Sequence, residues 1–210
     1  MDCSVVSFLQ KDSFKSNSLP LRRCISKAEH PIVFEKIFPK KMQQPVNDIW
    51  ERISFRTAVM PDDGPFLEKL YASTRDDLAG FITDGKQLRQ LLKIQHNAQK
   101  AAYSAEYRNA THDILLLDGE SIGRLIVDRR PDALHGVDLA LLPQVRNMGI
   151  GTAVLRNLFE ECKQANLPLI FHVLKTNPAR KLYERLGCYV IRDDGTHFSM
   201  EWRTQTQSNL

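Results

Sequence analysis

Apolar and polar residues repeat along the chain with two different spacings, one typical of strands and one typical of helices. Between Ile53 and Val59 apolar residues alternate with polar ones, which predicts a half-buried strand. Shorter runs rich in valine, isoleucine, leucine and phenylalanine predict further strands. The predicted strands are Ile53–Val59, Asp113–Leu117, Ser121–Asp128, Val137–Leu142 with a start as early as His135, Leu167–Leu174 and Phe198–Arg203. A tight hairpin at Asp118–Glu120 joins the second and third, and a seventh strand is expected before the turn at Asp193–Gly195.

Helical spacing of apolar residues, with charged residues between them, occurs in four other stretches. Helices are predicted at Gly64–Ser73, at about Lys86–Tyr107, from Thr152 onward, and between Pro178 and Gly187. A proline at the start and a glycine at the end frame the last of these helices. The resulting order is β-α-α-β-β-β-α-β-α-β-β, with about seven strands and four helices, and it predicts an α/β (α+β) fold.

The stretch from Val137 to Thr152 places a strand, a glycine turn and a helix in direct succession. Arg146, Gly149 and Gly151 form the pattern R-x-x-G-x-G in the turn. Glycines leave backbone N–H groups uncovered, and the first N–H groups of a helix lack intrahelical partners, so this turn favours anionic oxygens. The loop of nucleotide hydrolases is excluded because no Lys-Ser or Lys-Thr follows, and a dinucleotide fold because G-x-G-x-x-G is absent. A turn that only joins strand to helix stays open as the alternative.

The region downstream decides between these interpretations. After the next predicted strand, residues 177–188 read N-P-A-R-K-L-Y-E-R-L-G-C. Together with the R-x-x-G-x-G turn, this order resembles the GNAT superfamily of N-acetyltransferases, whose motifs are R/Q-x-x-G-x-G/A and N-x-x-A-x-x-L/F-Y-x-x-x-G-F. The second motif departs at two positions: Ala179 follows Asn177 by two residues instead of three, and Cys188 replaces an aromatic residue. The resemblance covers about Ile53 to Trp202.

The resemblance implies a mixed, mostly antiparallel central sheet flanked by helices, with acetyl-coenzyme A as co-substrate. The pantetheine arm would pair with the predicted strand that ends at Leu142 and starts as early as His135, here called the organising strand. A bulge or splay there would free the N–H of Leu141 or Leu142 for the thioester oxygen. The pyrophosphate would bind backbone N–H groups of the turn, with the Arg146 guanidinium near a phosphate. The residues expected to contact the coenzyme are Leu139, Leu141, Leu142, Arg146, Asn147, Met148, Gly149, Ile150, Gly151, Thr152, Asn177 and Tyr183.

Two of these residues also have a structural interpretation. Tyr183 matches the family's tyrosine that donates a proton to the coenzyme A sulfur, and its ring would at the same time pack a helix onto the sheet. Asn177 would hydrogen-bond the pantetheine arm or, equally well, cap the helix that starts at Pro178.

The acceptor amine must lose a proton before it attacks, and Asp138 and His135 on the organising strand are the candidate catalytic bases. In a regular strand the two lie on opposite faces, so at most one of them faces the acetyl group. GNAT relatives often place a carboxylate on this strand, which favours Asp138. The alternative is that Asp138 pairs with Arg124 or Arg129.

The acceptor site is predicted on the second helix. Gln95 and Gln99 interrupt its apolar face one turn apart and share that face with Tyr103, so all three are candidate substrate-binding residues. The alternative is a helix end that leaves the core. In GNAT proteins the loop between the first two helices, here Thr74–Gly85, forms one wall of the acceptor site.

Length and composition agree with one catalytic domain. The chain has 210 residues, 42% of them hydrophobic, and a net charge of +4. The first fifty residues hold eight Lys or Arg against five Asp or Glu, so the remainder is nearly neutral and no nucleic-acid partner is expected. We divide the chain into an N-terminal extension (1–50), partly disordered or docking on the domain, a GNAT domain (51–204) and a polar C-terminal tail (205–210).

The four cysteines are widely spaced and the histidines are scattered, which predicts neither a metal site nor a disulfide framework. No apolar run is long enough for a membrane span, so the expected location is the cytoplasm.

The predicted function is N-acetylation of a primary amine of a small molecule or peptide by direct transfer from acetyl-coenzyme A. The alternatives are a protein N-terminus or lysine as acceptor, and an acetyl-coenzyme A-binding module without turnover. A homodimer is one expected assembly.

Overall fold

The structure is a computed structural model, and it describes residues 49–79 and 82–204. Apart from Ile49 and Trp50, the extension predicted for residues 1–50 lies outside the described residues, and so does the predicted tail 205–210.

The described residues form seven strands, five α-helices and one 3-10 turn. The strands are β1 (Ile53–Thr57), β2 (Thr111–Leu117), β3 (Glu120–Arg129), β4 (Leu134–Leu141), β5 (Leu169–Leu174), β6 (Tyr189–Asp193) and β7 (His197–Trp202). The helices are α1 (Gly64–Ala72), α2 (Asp76–Ala79), α3 (Gly85–Glu106), α4 (Ile150–Ala165) and α5 (Ala179–Arg185), and the 3-10 turn is Pro143–Val145. The four predicted helices are α1, α3, α4 and α5. The short α2 lies inside the predicted loop Thr74–Gly85, where four residues are too few to show a helical spacing.

Local hydrogen bonds explain where several elements begin and end. β1 stops two residues before the predicted Val59, because the N–H of Val59 donates to the Asp63 carboxylate at 2.7 Å and turns the chain. α3 begins where the Asp84 side chain accepts from the N–H groups of Lys86 (2.7 Å) and Gln87 (3.3 Å).

The strands make one sheet in the order β1-β2-β3-β4-β5-β7-β6. All neighbouring pairs are antiparallel except β4 and β5, which are parallel. The prediction of a mixed, mostly antiparallel sheet is therefore confirmed. β3 and β4 carry a register shift: Ile126 lies opposite Asp138, but Val127 lies opposite Gly136, so β4 has one extra residue, Val137.

Helices cover both faces of this sheet. Leu125 and Val127 of β3 belong to the same buried cluster as Leu155 and Leu158 of α4. Ile126, between them in sequence, packs instead in a second cluster with Tyr103 and Tyr107. Tyr103 lies in the last turn of α3, and Tyr107 directly follows that helix. Because side chains alternate across a strand, α3 and α4 lie on opposite faces.

α1 packs beside α3, where the rings of Tyr71 and His96 stack with centroids 5.2 Å apart. None of the helices within residues 49–79 and 82–204 has the length and apolar character needed to cross a membrane.

Candidate active site

The sheet opens between its two parallel strands. Hydrogen-bonded pairing joins Leu134–Gly136 of β4 to Leu169–Phe171 of β5, although β4 continues to Leu141. At the point where the pairing ends, a crevice is lined by Leu125, Gly136, Asp138, Leu139, Leu155, Leu158, Leu169, Phe171 and Tyr183. An extended chain could enter this gap and pair with the exposed edge of β4.

Backbone directions show which groups of β4 face the gap. The N–H of Leu142 donates to the Ile122 carbonyl at 2.9 Å and so points toward β3. Because N–H directions alternate along a strand, the N–H groups of Leu139 and Leu141 point to the opposite side, where β5 has separated. The expectation that Leu142 supplies an N–H to the thioester was therefore wrong, because that N–H is already bonded within the sheet.

The turn after β4 forms a second backbone site. Asn147 (φ 63°) and Gly149 (φ 84°) both adopt left-handed conformations, which asparagine and glycine tolerate best. Gly149 caps α4, and its carbonyl accepts from the Ala153 N–H at 2.9 Å. The N–H groups of residues 150–152 therefore precede the first intrahelical bond and face outward at the positive end of the helix dipole. This turn fits an anionic group such as a pyrophosphate.

Arg146 is tied to protein carbonyls on both sides of the site. Its Nε donates to the Leu141 carbonyl at 3.1 Å and its Nη2 to the Ser73 carbonyl at 2.9 Å. Its backbone N–H donates to the Pro143 carbonyl at 3.2 Å. The sequence predicted that this N–H binds the pyrophosphate, but it is already bonded within the protein. Arg146 thus links the end of α1 to the end of β4.

Tyr183 lies on α5, buried, with its ring centroid 4.3 Å from that of Phe171 on β5. It packs α5 onto the sheet, as the structural interpretation expected, and it also lines the crevice. Its role as a proton donor to the coenzyme A sulfur stays a prediction. The side chain of Asn177 accepts from the Ala179 N–H at 2.8 Å, which is the interaction of a residue that caps a helix start.

The β4 bulge changes the relation between Asp138 and His135. Asp138 lies opposite Ile126 and His135 opposite Asp128, and two residues that are two apart on β3 share a face. The opposite faces expected for a regular strand therefore do not apply to β4, because Val137 is an extra residue between the two. Burial lowers the pKa of the half-buried His135 imidazole.

Asp138 is buried and forms an ion pair with Arg124 of β3, whose Nε donates to its Oδ2 at 2.7 Å. The structural alternative for Asp138 is therefore present. Burial raises the pKa of the Asp138 carboxyl, and the Arg124 charge opposes that rise. Its Oδ1 is buried without a hydrogen-bond partner among the described residues.

The three candidate acceptor residues on α3 do not have equal access to solvent. Gln99 and Tyr103 are each 1% exposed, and the Gln99 Oε1 accepts from the Arg124 Nη2 at 3.2 Å. Gln95 is half-buried, and its Oε1 accepts from the Arg75 Nη1 at 2.7 Å and the Tyr71 hydroxyl at 3.3 Å. The predicted face is thus a polar layer between α1, α3 and the sheet.

Comparison with known proteins agrees with this geometry. The model of the acetyltransferase (GNAT) family matches residues 35–188. The chain belongs to the GNAT family.

Solved structures of other acetyltransferases have a similar fold. The PaiA N-acetyltransferase of Thermoplasma acidophilum, in complex with coenzyme A, has a TM-score of 0.56 at 17% identity, covering 72% of this chain and 98% of that one. The ribosomal-protein-S18-alanine N-acetyltransferase of Escherichia coli has a TM-score of 0.51 at 18% identity, covering 75% and 98%. An acetyltransferase of Thermus thermophilus has a TM-score of 0.52 at 18% identity, covering 72% and 96%. No curated protein sequence matches the chain significantly.

Sequence reasoning about this GNAT domain named Arg124 only as an alternative partner of Asp138 and gave His96 no role. Arg124 is a lone charge inside the apolar run of β3, and that interruption was the available signal. His96 follows Gln95 on α3 and is buried, with Nδ1 lacking a partner in the described part of the chain. Both residues join the polar layer beneath α3.

The residues of this GNAT domain provide no assembled metal site: within the described ranges, no three His, Cys, Asp or Glu residues are placed to hold an ion. Cys162 and Cys188 are buried free thiols, and burial raises the pKa of each to about 12. Cys3 and Cys24 lie outside the described residues.

Proposed function

We propose that this GNAT acyltransferase transfers the acetyl group of acetyl-coenzyme A directly to a primary amine of a small molecule or peptide. The observation that carries the proposal is the separation of β4 from β5 directly before the glycine turn. An N–H-bearing strand edge and an anion-binding helix start are thereby joined in one continuous path. That path suits a ligand with an amide-containing arm and a pyrophosphate.

Each part of the path has a distinct task in this proposal. The N–H groups of residues 150–152 hold the pyrophosphate, and the N–H of Leu141 pairs with the pantetheine arm. The N–H of Leu139 lies on the same side as that of Leu141, and Leu139 lines the crevice with Tyr183. We therefore assign the thioester oxygen to Leu139, earlier in the strand than the sequence suggested, and the sulfur to the Tyr183 hydroxyl.

The proposal is tested by release of coenzyme A from acetyl-coenzyme A across amines, polyamines, amino acids and peptides, with binding followed by calorimetry. Turnover with one class of amine supports the proposal and identifies the acceptor class. Binding of acetyl-coenzyme A without turnover on any acceptor would favour a binding module instead. Turnover only with proteins would place the acceptor among protein N-termini or lysines.

Replacing Met148 tests the anion site. Its side chain is 45% exposed in the turn, so a substitution there leaves the core intact. Met148→Glu adds a negative charge beside the proposed pyrophosphate, and Met148→Gln adds the same shape without the charge. We expect Met148→Glu to weaken coenzyme A binding by about tenfold at low salt, and less at high salt. Calorimetry at two salt concentrations measures the difference, and equal affinities of the two variants would contradict the assigned site.

Direct transfer predicts that the buried cysteines are dispensable. At neutral pH a thiol whose pKa is about 12 is almost entirely protonated and a poor nucleophile. We expect Cys162→Ala and Cys188→Ala to change kcat by less than about twofold wherever the melting temperature is retained. A large loss of kcat in either variant with coenzyme A binding unchanged would indicate a covalent intermediate.

A further inference from the structure

A charged group of side chains is enclosed between α3 and the sheet. Arg124 is 9% exposed and Asp138 is 2% exposed, and Gln99 on α3 contacts the guanidinium from above. Removing a charged pair from water costs free energy that apolar residues in the same place would not incur. Stability alone therefore does not explain why a charged pair occupies this place, and a functional role would.

The geometry of the pair is one-sided. The Nε and Nη2 of Arg124 both donate to Oδ2 of Asp138, the former at 2.7 Å. A two-pronged arginine–carboxylate pair would instead use both carboxylate oxygens. Here Oδ1 is buried and has no partner within the described residues. Unsatisfied buried oxygens are rare in proteins because they have lost hydration without compensation.

Asp138 lies beside the crevice in which the coenzyme is proposed to bind. Among the described residues that line the crevice between β4 and β5, Asp138 is the only charged one. It directly precedes Leu139, whose N–H faces the gap, and its side chain lies on the α3 face of the sheet, whereas Leu155 and Leu158 of α4 line the crevice from the other face. An amine that approached a thioester in the gap from the α3 face would meet this carboxylate.

We infer that Arg124 and Gln99 are positioning residues that fix Asp138 by Oδ2, so that Oδ1 accepts a hydrogen bond from the acceptor amine. Arg124 holds one oxygen, Gln99 fixes the rotation of the guanidinium, and the other oxygen is left for the substrate. The acceptor nitrogen is thereby held with its lone pair toward the thioester carbonyl. This inference rests on the proposed function and adds the residues that recognise the amine.

The test is a mutant cycle in the full-length protein. Asp138→Asn is expected to lower kcat/KM for the amine about 100-fold, with the KM for acetyl-coenzyme A unchanged. Arg124→Met is expected to lower it about 30-fold and Arg124→Lys about tenfold, since lysine restores the charge but not the two guanidinium N–H donors that meet Oδ2. Gln99→Leu is expected to lower it about threefold.

The double variant Arg124→Met with Asp138→Asn is the decisive member of the cycle. It leaves no unpaired buried charge, so it is the variant most favourable to folding. If Arg124 acts through Asp138, the double variant is no slower than Asp138→Asn alone. Arg129→Met is the matched control on the same strand, because Arg129 pairs with Glu161 of α4 on the surface, and it is expected to leave kcat/KM unchanged.

Two results would overturn the inference while the proposed function stands. One is an Asp138→Asn variant that acetylates the amine as fast as the wild type. The other is an Arg124→Met substitution that slows Asp138→Asn by the full factor seen in the wild type. Absence of turnover by the wild type on every amine would refute the proposed function, and this inference with it.

Discussion

Replacing Tyr183 by phenylalanine is expected to lower kcat about 100-fold while the affinity for acetyl-coenzyme A changes little. The ring centroid lies 4.3 Å from that of Phe171, and phenylalanine keeps this packing. What the variant loses is the hydroxyl that we propose protonates the departing sulfur. Steady-state release of coenzyme A measures kcat, and calorimetry measures binding.

Tyr107→Phe supplies the control for Tyr183→Phe, since it removes a buried tyrosine hydroxyl from the α3 side of the sheet, away from the crevice lining. We expect this control to keep kcat within about twofold of the wild type. If Tyr183→Phe turned over as fast as Tyr107→Phe, the hydroxyl would have no part in proton transfer, and the residue would only pack α5 onto the sheet.

Gly123→Ala is expected to lower the free energy of unfolding by about 2 kcal/mol and the melting temperature by about 6 °C. A Cβ at this position of β3 would press on the Ala140 carbonyl oxygen and lie 2.8 Å from the Cδ2 of Leu141. The Ala140 carbonyl is part of the β4 backbone, so it can move only if the strand itself shifts. The strain would therefore also displace the N–H groups proposed to hold the coenzyme, and coenzyme A affinity should fall at least about tenfold.

Gly136→Ala is the matched comparison for stability, because a Cβ there would meet its nearest atom, the Cβ of Phe171, at an ordinary 3.7 Å. Thermal melts of both variants give the comparison, and we expect the Gly136→Ala change to stay below about 1 kcal/mol. Equal melting temperatures for the two variants would show that β3 and β4 have freedom that the observed packing does not suggest.

Local signals in the sequence were enough to locate six of the seven strands and four of the five α-helices of the described residues, and the glycine turn. Helical spacing beginning near Thr152 located α4 to within two residues, and the start at Ile150 follows from Gly149 acting as its cap. Proline and glycine at the ends of the last helix likewise located α5, observed at Ala179–Arg185. These features depend on residues close in sequence, which is why periodicity and turn residues report them.

The arrangement of side chains around Asp138 depends on register, which the sequence does not specify. The extra residue Val137 exists only relative to β3, and it moves His135 to the face that Asp138 occupies. Register also selects the partner of Asp138. Arg124 is two residues from Ile126, the residue opposite Asp138, and so shares its face, whereas Arg129 is an odd number of residues away and points to α4.

Hydrogen bonds over long sequence distances account for the other differences. The N–H of Leu142 is bonded to Ile122, twenty residues earlier, and the guanidinium of Arg146 reaches Ser73 on the end of α1. A motif identifies Arg146 as part of the turn but does not tell which groups its side chain contacts. The acceptor side of the site likewise depends on packing. The sequence puts Gln99 and Tyr103 on the apolar face of α3 but does not show that both are buried or that Gln99 contacts Arg124 of β3.

Direct acetyl transfer is tested most directly by single-turnover mass spectrometry with acetyl-coenzyme A labelled with ¹³C in the acetyl group, using the amine that supports coenzyme A release. The enzyme is mixed in excess over the labelled acetyl-coenzyme A, and the masses of the amine and of the intact protein are measured over time. We predict label on the amine nitrogen and none on the protein at any time. Label that passes through the protein before it reaches the amine, or that never reaches it, would contradict direct transfer in the crevice between β4 and β5.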